Sequence, residues 1–429
     1  MQLKTREINK NKRGENNNIY VNETINKTSL FLGLLLLFIY FFNSTTFKLS
    51  YNFIPIVFVI ILTSLYHAIK RKTFKLNPTT NCIIIYAIII SLSSILTYIN
   101  QNPNIVVEWY PFATCFLMFI LVISVINDKY NAKSIHFLIT CFILSTTVLA
   151  LFILLFREPF VNLKNGIYII HKMRYVVKYL DNTYTDPNFL GMYLCSGTLF
   201  AFIRAFLYRQ SKHKTLYSIV GIGNSIAIFL TGSRATFLAL CIGLLCIIIN
   251  YINNIPNKSI KLRLIIFICI FITISVFFFL YFIDDYYINR FLRFDDYNDG
   301  SNESRIETWI YGLRIISISP IFGHGCVASK NVIANMFYGR LGAHNSYIEL
   351  GIQGGIIGLI CIFSLLLTLL RNLLKKERKI LLSIFISLIF MSIIIAAHNS
   401  FTLWIPIIIL ITCNNYLDEN NSHALIDII

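Results

Sequence analysis

Apolar runs of about 20 residues recur along this 429-residue chain, each long enough to cross the hydrocarbon core of a bilayer as a helix. A backbone in hydrocarbon must satisfy its own N–H and C=O groups. Only helices or a closed barrel do so, and continuous rather than alternating apolar runs select helices. The runs fall near 28–46, 52–69, 81–99, 109–126, 134–156, 187–207, 215–231, 235–252, 264–283, 346–370, 380–397 and 400–417. The expected fold class is an all-α integral membrane protein of about twelve transmembrane helices, with a large extracytoplasmic loop between helices 9 and 10. A composition of 56% apolar and 13% charged residues, with mean hydropathy +0.68, excludes a soluble globular domain.

The cations orient these spans. A net charge of +17 raises nucleic acid as a partner, but the basic residues sit in short clusters between apolar runs, so no nucleic acid is expected. The clusters are residues 1–27; Lys70, Arg71, Lys72 and Lys75; Lys129 and Lys133; Arg204, Arg209, Lys212 and Lys214; Lys258, Lys261 and Arg263; and Arg371, Lys375, Lys376, Arg378 and Lys379. With twelve spans they share one side, which the positive-inside rule makes the cytoplasm, along with both termini. The chain then divides into a cytoplasmic polar tail (1–27), a membrane domain (28–417) with long outer loops at 157–186 and 284–343, and a cytoplasmic tail (418–429). No small-residue cleavage site accompanies the first span, which is expected to serve as its own insertion signal. Of ten cysteines only Cys326 falls in an outer loop, so neither a disulfide framework nor a metal-binding cysteine set is expected.

The outer loops hold cations that this bias does not explain. The first carries Arg157, Lys164, His171, Lys172, Arg174 and Lys178 and ends in Asp186-Pro187-Asn188, where Asp suits a helix cap and Pro a first turn. It reads either as a lipid-headgroup contact or as a mouth that attracts a polyanion. The second opens with an acidic, aromatic stretch that is not a calcium loop, because Tyr297 breaks the ligand pattern and Ile306 stands at the closing Glu position. Ser304 and Glu307 form a capping box, predicting a helix that ends before Pro320. Its apolar stripe is Ile306, Trp309, Ile310, Leu313 and Ile316, with Arg305 and Arg314 near opposite edges, as suits a helix lying along a membrane surface. Gly323-His324-Gly325, Arg340, His344-Asn345-Ser346-Tyr347 and a run of glycines at 351, 354, 355 and 358 follow, the last expected to allow close packing around whatever His344 faces.

The order Arg305-x-x-x-Trp309, Pro320-Ile321-Phe322-Gly323-His324-Gly325, His344-Asn345-Ser346-Tyr347 resembles the C-terminal signature of the O-antigen ligase and polysaccharide polymerase superfamily, whose bacterial surface polysaccharide polymerases are the Wzy-type enzymes. Thr231-Gly232-Ser233-Arg234 resembles its Ser-Arg element. His324 departs from the pattern, which more often has a small apolar residue between the glycines.

The resemblance implies a glycosyltransferase of the bacterial cytoplasmic (inner) membrane with an extracytoplasmic active site. It would join undecaprenyl-pyrophosphate-linked repeat units into O-antigen or capsular polysaccharide. An acceptor hydroxyl would attack the anomeric carbon as lipid pyrophosphate departs. Both donor and acceptor are then lipid-linked, with the bilayer and a chain-length regulator as further partners and no cofactor or metal. Arg234 and Arg305 would stabilise the charge on pyrophosphate, and His344 would take the acceptor proton. Arg340, Asn345, Tyr347, Arg174 and Arg314 are the candidate substrate-binding residues. The bland alternatives are arginines that snorkel to lipid phosphate and a histidine that only caps a helix. A ligase delivering finished glycan to lipid A core or another envelope acceptor would look alike. A transporter of the same lipids would instead carry charged groups within its spans.

Overall fold

The computed structural model describes residues 24–38, 59–63, 66, 78–100, 102–108, 120–164, 167–178, 184–208, 210–253, 255, 259, 301–337, 342–398, 400–419 and 425–428. The predicted span at 264–283, most of that at 52–69, the acidic stretch at 284–300 and Arg340 lie outside the described residues.

The helices that carry the argument are α1 (Lys27–Phe38), α2 (Pro78–Asn100), α3 (Ala132–Phe156), α4 (Pro187–Leu207), α5 (Ser211–Leu230) and α6 (Arg234–Asn253). After them come α7 (Ser301–Ile318), α8 (Ser329–Phe337), α9 (Ser346–Leu373), α10 (Leu382–Ile394) and α11 (Phe401–Glu419). Among the described residues six helices, α2, α3, α4, α6, α9 and α11, are long and apolar enough to cross a membrane. They expose apolar side chains such as Ile88, Leu92, Leu155, Ile356 and Ile360, which in a bilayer meet lipid tails, and enclose α4 and α11. The described residues are mostly helical, as expected of an all-α membrane protein, with one small addition. Loop 157–186 carries an antiparallel hairpin, β1 (Glu158–Lys164) with β2 (Ile167–Val176), because Val161, Ile169, Tyr175 and their neighbours are β-formers freed from a span.

Two ends of the helix bundle are distinguishable by their polar ties. At one, Asn26 Nδ2 donates to Asp128 (3.0 Å), and Lys375 and Arg378 each lie 2.8 Å from Asp418. Lys129 approaches Glu419 at 3.9 Å. This end gathers several of the basic clusters. Two members differ from loop cations, however. Arg378 is buried, and Arg204 is fully enclosed in the last turn of α4. The Arg204 guanidinium donates to Thr140 Oγ1 and Tyr217 Oη, both at 2.8 Å, and to the His136 carbonyl at 2.9 Å, with no carboxylate partner among the described residues. Helix α4 is central to the bundle, so a cation on its last turn is walled in by α3 and α5.

At the other end, residues 301–337 and 342–345 belong to a small cap whose Ile315, Val327, Val332 and Ile333 pack with Ile352 of α9 and with Ile105 and Val107 from the segment after α2. Helix α7 starts by Ser301, so Ser304 stands inside it and does not cap it; a capping residue must lie outside the helical backbone. Thr308 and Ile315 are buried, and a Cβ at Gly312 would strike Ile348 of α9. The predicted stripe therefore faces outward at Ile306, Ile310 and Leu313, a face suited to lipid, and the side packed on protein is the opposite one.

The cap is joined to α9 by an exchange of backbone hydrogen bonds. Helix α9 breaks at Gly355 (φ 58°, ψ −157°), freeing groups that a continuous helix would pair. The carbonyls of Ile352 and Gln353 accept instead from the N–H of His324 and Gly325, both at 2.8 Å. The N–H groups of Ile356 and Ile357 donate to the carbonyls of Pro320 (2.8 Å) and Ile321 (3.3 Å). In a membrane each group left unpaired would cost several kcal/mol, so the inserted loop is what makes the break tolerable. Ser93 and Ser94 of α2 hold the loop from behind, by bonds to the Phe322 carbonyl (2.6 Å) and from the Cys326 N–H (2.8 Å). The glycines of α9 serve this joint and close helix packing, Gly351 on Ile316 of α7 and Gly354 and Gly358 on Tyr86.

Candidate active site at the capped end

Three helices begin beside one another at the capped end. Asp186 caps α4 as its sequence suggested, accepting from the N–H of Asn188 (2.7 Å) and Phe189 (3.4 Å), with Pro187 in the first turn. Ser233, just before α6, donates to Asn188 Oδ1 at 2.8 Å, bringing the Thr231-Gly232-Ser233-Arg234 element against Asp186-Pro187-Asn188. Gly232 takes a left-handed turn (φ 62°) that lets Arg234 begin α6. A half-buried guanidinium there adds to the positive end of the helix dipole, a combination suited to an anion. Arg174, on β2, donates from Nε to the Thr231 carbonyl (3.3 Å) and lies over the Phe160 ring.

The third start is α9. His344 adopts a left-handed backbone (φ 49°) immediately before Asn345, whose side-chain oxygen accepts from the N–H of Tyr347 (2.9 Å) and Ile348 (3.2 Å). Ser346 clamps the segment after α10, donating to the Ile395 carbonyl (2.6 Å) and accepting from the Ala397 N–H (2.8 Å). His344 thus sits in the turn that these bonds hold at the start of α9. Burial, first, and then the charge of Arg305 push its pKa below the ordinary histidine value. Asp186 pulls the other way, and Lys330 adds a further downward push. Arg305, Asp186, Lys330 and His344 are thus one electrostatic group drawn from four elements.

Other candidates are placed elsewhere. Arg314 is exposed and, nine residues after Arg305, is about 13 Å along α7 and half a turn round it. Tyr347 faces α10, where its hydroxyl meets the Ile389 carbonyl at 3.5 Å, and its ring stacks on Phe363. The Asn345 oxygen is taken by capping.

Sequence reasoning passed over Lys330, Ser329 and Glu349. Ser329 donates to the buried Glu349 carboxylate and accepts from the Ala343 N–H (3.2 Å), so it braces the turn that carries His344. A carboxylate in the first turn of an apolar helix was the available signal for Glu349; Lys330 stood out only as one more outer-loop cation. Among the described residues no cluster of His, Cys, Asp and Glu could hold a metal ion.

Residues 219–363 match the family model described as O-antigen ligase. The match supports the O-antigen polymerase and ligase superfamily for this chain. The O-antigen ligase segment runs from α5 into α9, so it includes Arg234, Arg305, Lys330 and His344 and leaves Arg174 and Asp186 outside. No curated protein matches the chain.

Proposed function

We propose that this membrane protein polymerises undecaprenyl-pyrophosphate-linked repeat units on the outer face of the cytoplasmic membrane. The observation that carries the reading is the single electrostatic group of Arg305, Lys330, Asp186 and His344 at the start of α9, within and beside the O-antigen ligase segment. A donor outside the cytoplasm must bring its own leaving group, and a lipid pyrophosphate does.

In the proposed step the acceptor hydroxyl gives its proton to His344 and attacks the anomeric carbon. The bond from that carbon to the phosphate oxygen breaks, and its electron pair leaves with the pyrophosphate. Arg305 and Arg234 receive the new negative charge as charge-assisted hydrogen-bond donors. A depressed pKa keeps His344 neutral, and so able to accept a proton, at neutral pH. Attack opposite the departing group inverts the anomeric configuration.

The test is growth of a lipid-linked repeat unit in vitro by purified protein. His344→Ala and Arg305→Ala are expected to insert normally and to lose at least about a hundredfold in rate. Full chain growth by His344→Ala would remove the catalytic assignment.

The matched family's description favours a second reading, a ligase that passes finished glycan to lipid A core or another acceptor. A strain lacking the protein separates the two. One repeat unit on the final acceptor means a lost polymerase, and long glycan stranded on the carrier means a lost ligase.

A further inference from the structure

His324 is the residue between the two glycines of the joint, Gly323 and Gly325. The imidazole is buried, and Nε2 lies 3.0 Å from the carbonyl oxygen of Ile315. A carbonyl only accepts, so Nε2 carries the proton and donates. Ile315 belongs to the last turn of α7, where carbonyls have no partner of their own within the helix. The backbone N–H of the same His324 donates to Ile352, three residues before the break in α9. One residue therefore bonds both to the helix that carries Arg305 and to the helix that His344 precedes.

We propose that His324 is a positioning residue, a two-ended bracket that fixes α7 against α9 and so sets the placement of Arg305 relative to His344. A small apolar residue there would keep the backbone end of the bracket and lose the side-chain end. Nothing else in the described residues bonds the last turn of α7 to α9 directly through one side chain. Ile315 shares a core with Ile348 and Ile352 of α9, and the carbonyls of Pro320 and Ile321 just past α7 accept from Ile356 and Ile357; the His324 imidazole adds a directed bond to α7 itself. The burial of the imidazole argues against contact with substrate, and lowers its affinity for a proton. This inference rests on the catalytic reading of Arg305 and His344.

The experiment compares His324→Ala with His324→Gln, whose amide N–H can reach the position of Nε2. His324→Ala is expected to lower kcat for chain growth by about tenfold to a hundredfold with a smaller change in KM, since a displacement of about 1 Å in a reacting site has that effect. The acidic limb of its pH profile should move to higher pH, because Arg305 no longer stands close enough to hold the His344 pKa down. His324→Gln should restore both.

A second measurement needs no activity: the distance between spin labels carried on unnatural amino acids at the exposed positions 313 and 360, one on each helix. It should broaden in His324→Ala and narrow again in His324→Gln. Wild-type rate, pH limb and distance distribution in His324→Ala would overturn the proposal. So would a His324→Gln protein that keeps the wild-type distance yet is as slow as the alanine variant, since the imidazole itself would then be needed. If Arg305→Ala and His344→Ala leave chain growth intact, the catalytic reading falls, while the distance measurement still judges the bracket.

Discussion

Ser233 Oγ donates a 2.8 Å hydrogen bond to Asn188 Oδ1, tying the turn that launches Arg234 on α6 to the turn that begins α4. The two residues are 45 positions apart, and both lie in helix-start turns at the capped end. Ser233→Ala removes a bond worth about 1 kcal/mol. Chain growth should fall by about threefold to tenfold while the protein's unfolding temperature in detergent hardly changes. An unchanged rate would mean that Arg234 is held without this tie.

The pH dependence of chain growth should follow the four charges around the start of α9. His344 must be unprotonated to act as a base, so the rate falls as pH drops through its depressed pKa, below the ordinary value near 6.5. Asp186 favours the protonated imidazole, and Asp186→Asn should move the acidic limb to lower pH. Lys330 disfavours it, and Lys330→Ala should move the limb to higher pH. Opposite shifts in the two variants are the signature to seek in rate profiles between about pH 4 and 8.

Gly355 cannot be replaced without cost. Its φ of 58° with ψ of −157° is a conformation that essentially only glycine adopts, and a Cβ there would strike the Ile321 carbonyl. Gly355→Ala should lose about 1–3 kcal/mol from backbone strain alone. Disruption of the exchanged hydrogen bonds adds to that loss. Thermal unfolding, with protease sensitivity of residues 319–327 as the local readout, measures it.

Arg204 tests a different part of the molecule. Arg204→Ala removes its bonds to Thr140, Tyr217 and the His136 carbonyl and opens a cavity among α3, α4 and α5, so stability should fall by about 3 kcal/mol or more. Membrane orientation, mapped by labelling of introduced cysteines, should not change, because an enclosed guanidinium is not a loop cation. A reversed topology would restore Arg204 to the orienting set.

Much of this was readable locally. Asp186 and Pro187 announce the start of α4 because capping needs only neighbouring residues, and Pro320 lies just past the end of α7 for the same reason. Ser304 misled because a capping box has the same spacing inside a helix as at its start. Arg204 misled because charge counts cannot see which helix is central. A transporter would have needed a line of charges across the spans; among the described residues, the enclosed charges on membrane-length helices are Arg204, at one end of α4, and Glu349, at the first turn of α9.

The amino-acid order by itself determined the apolar helices and the cation-rich ends between them. It also determined the match of residues 219–363 to the O-antigen ligase family model, because hydropathy, capping and motif spacing are properties of short stretches. Only the tertiary structure decided that loop 320–325 fills the break at Gly355, that His324 bonds to Ile315, and that Asp186 and Lys330 join Arg305 around His344. Those relations link positions from nine to more than a hundred residues apart. They exist because broken backbone in an apolar surrounding must find its hydrogen bonds somewhere, and which segment supplies them is settled by packing.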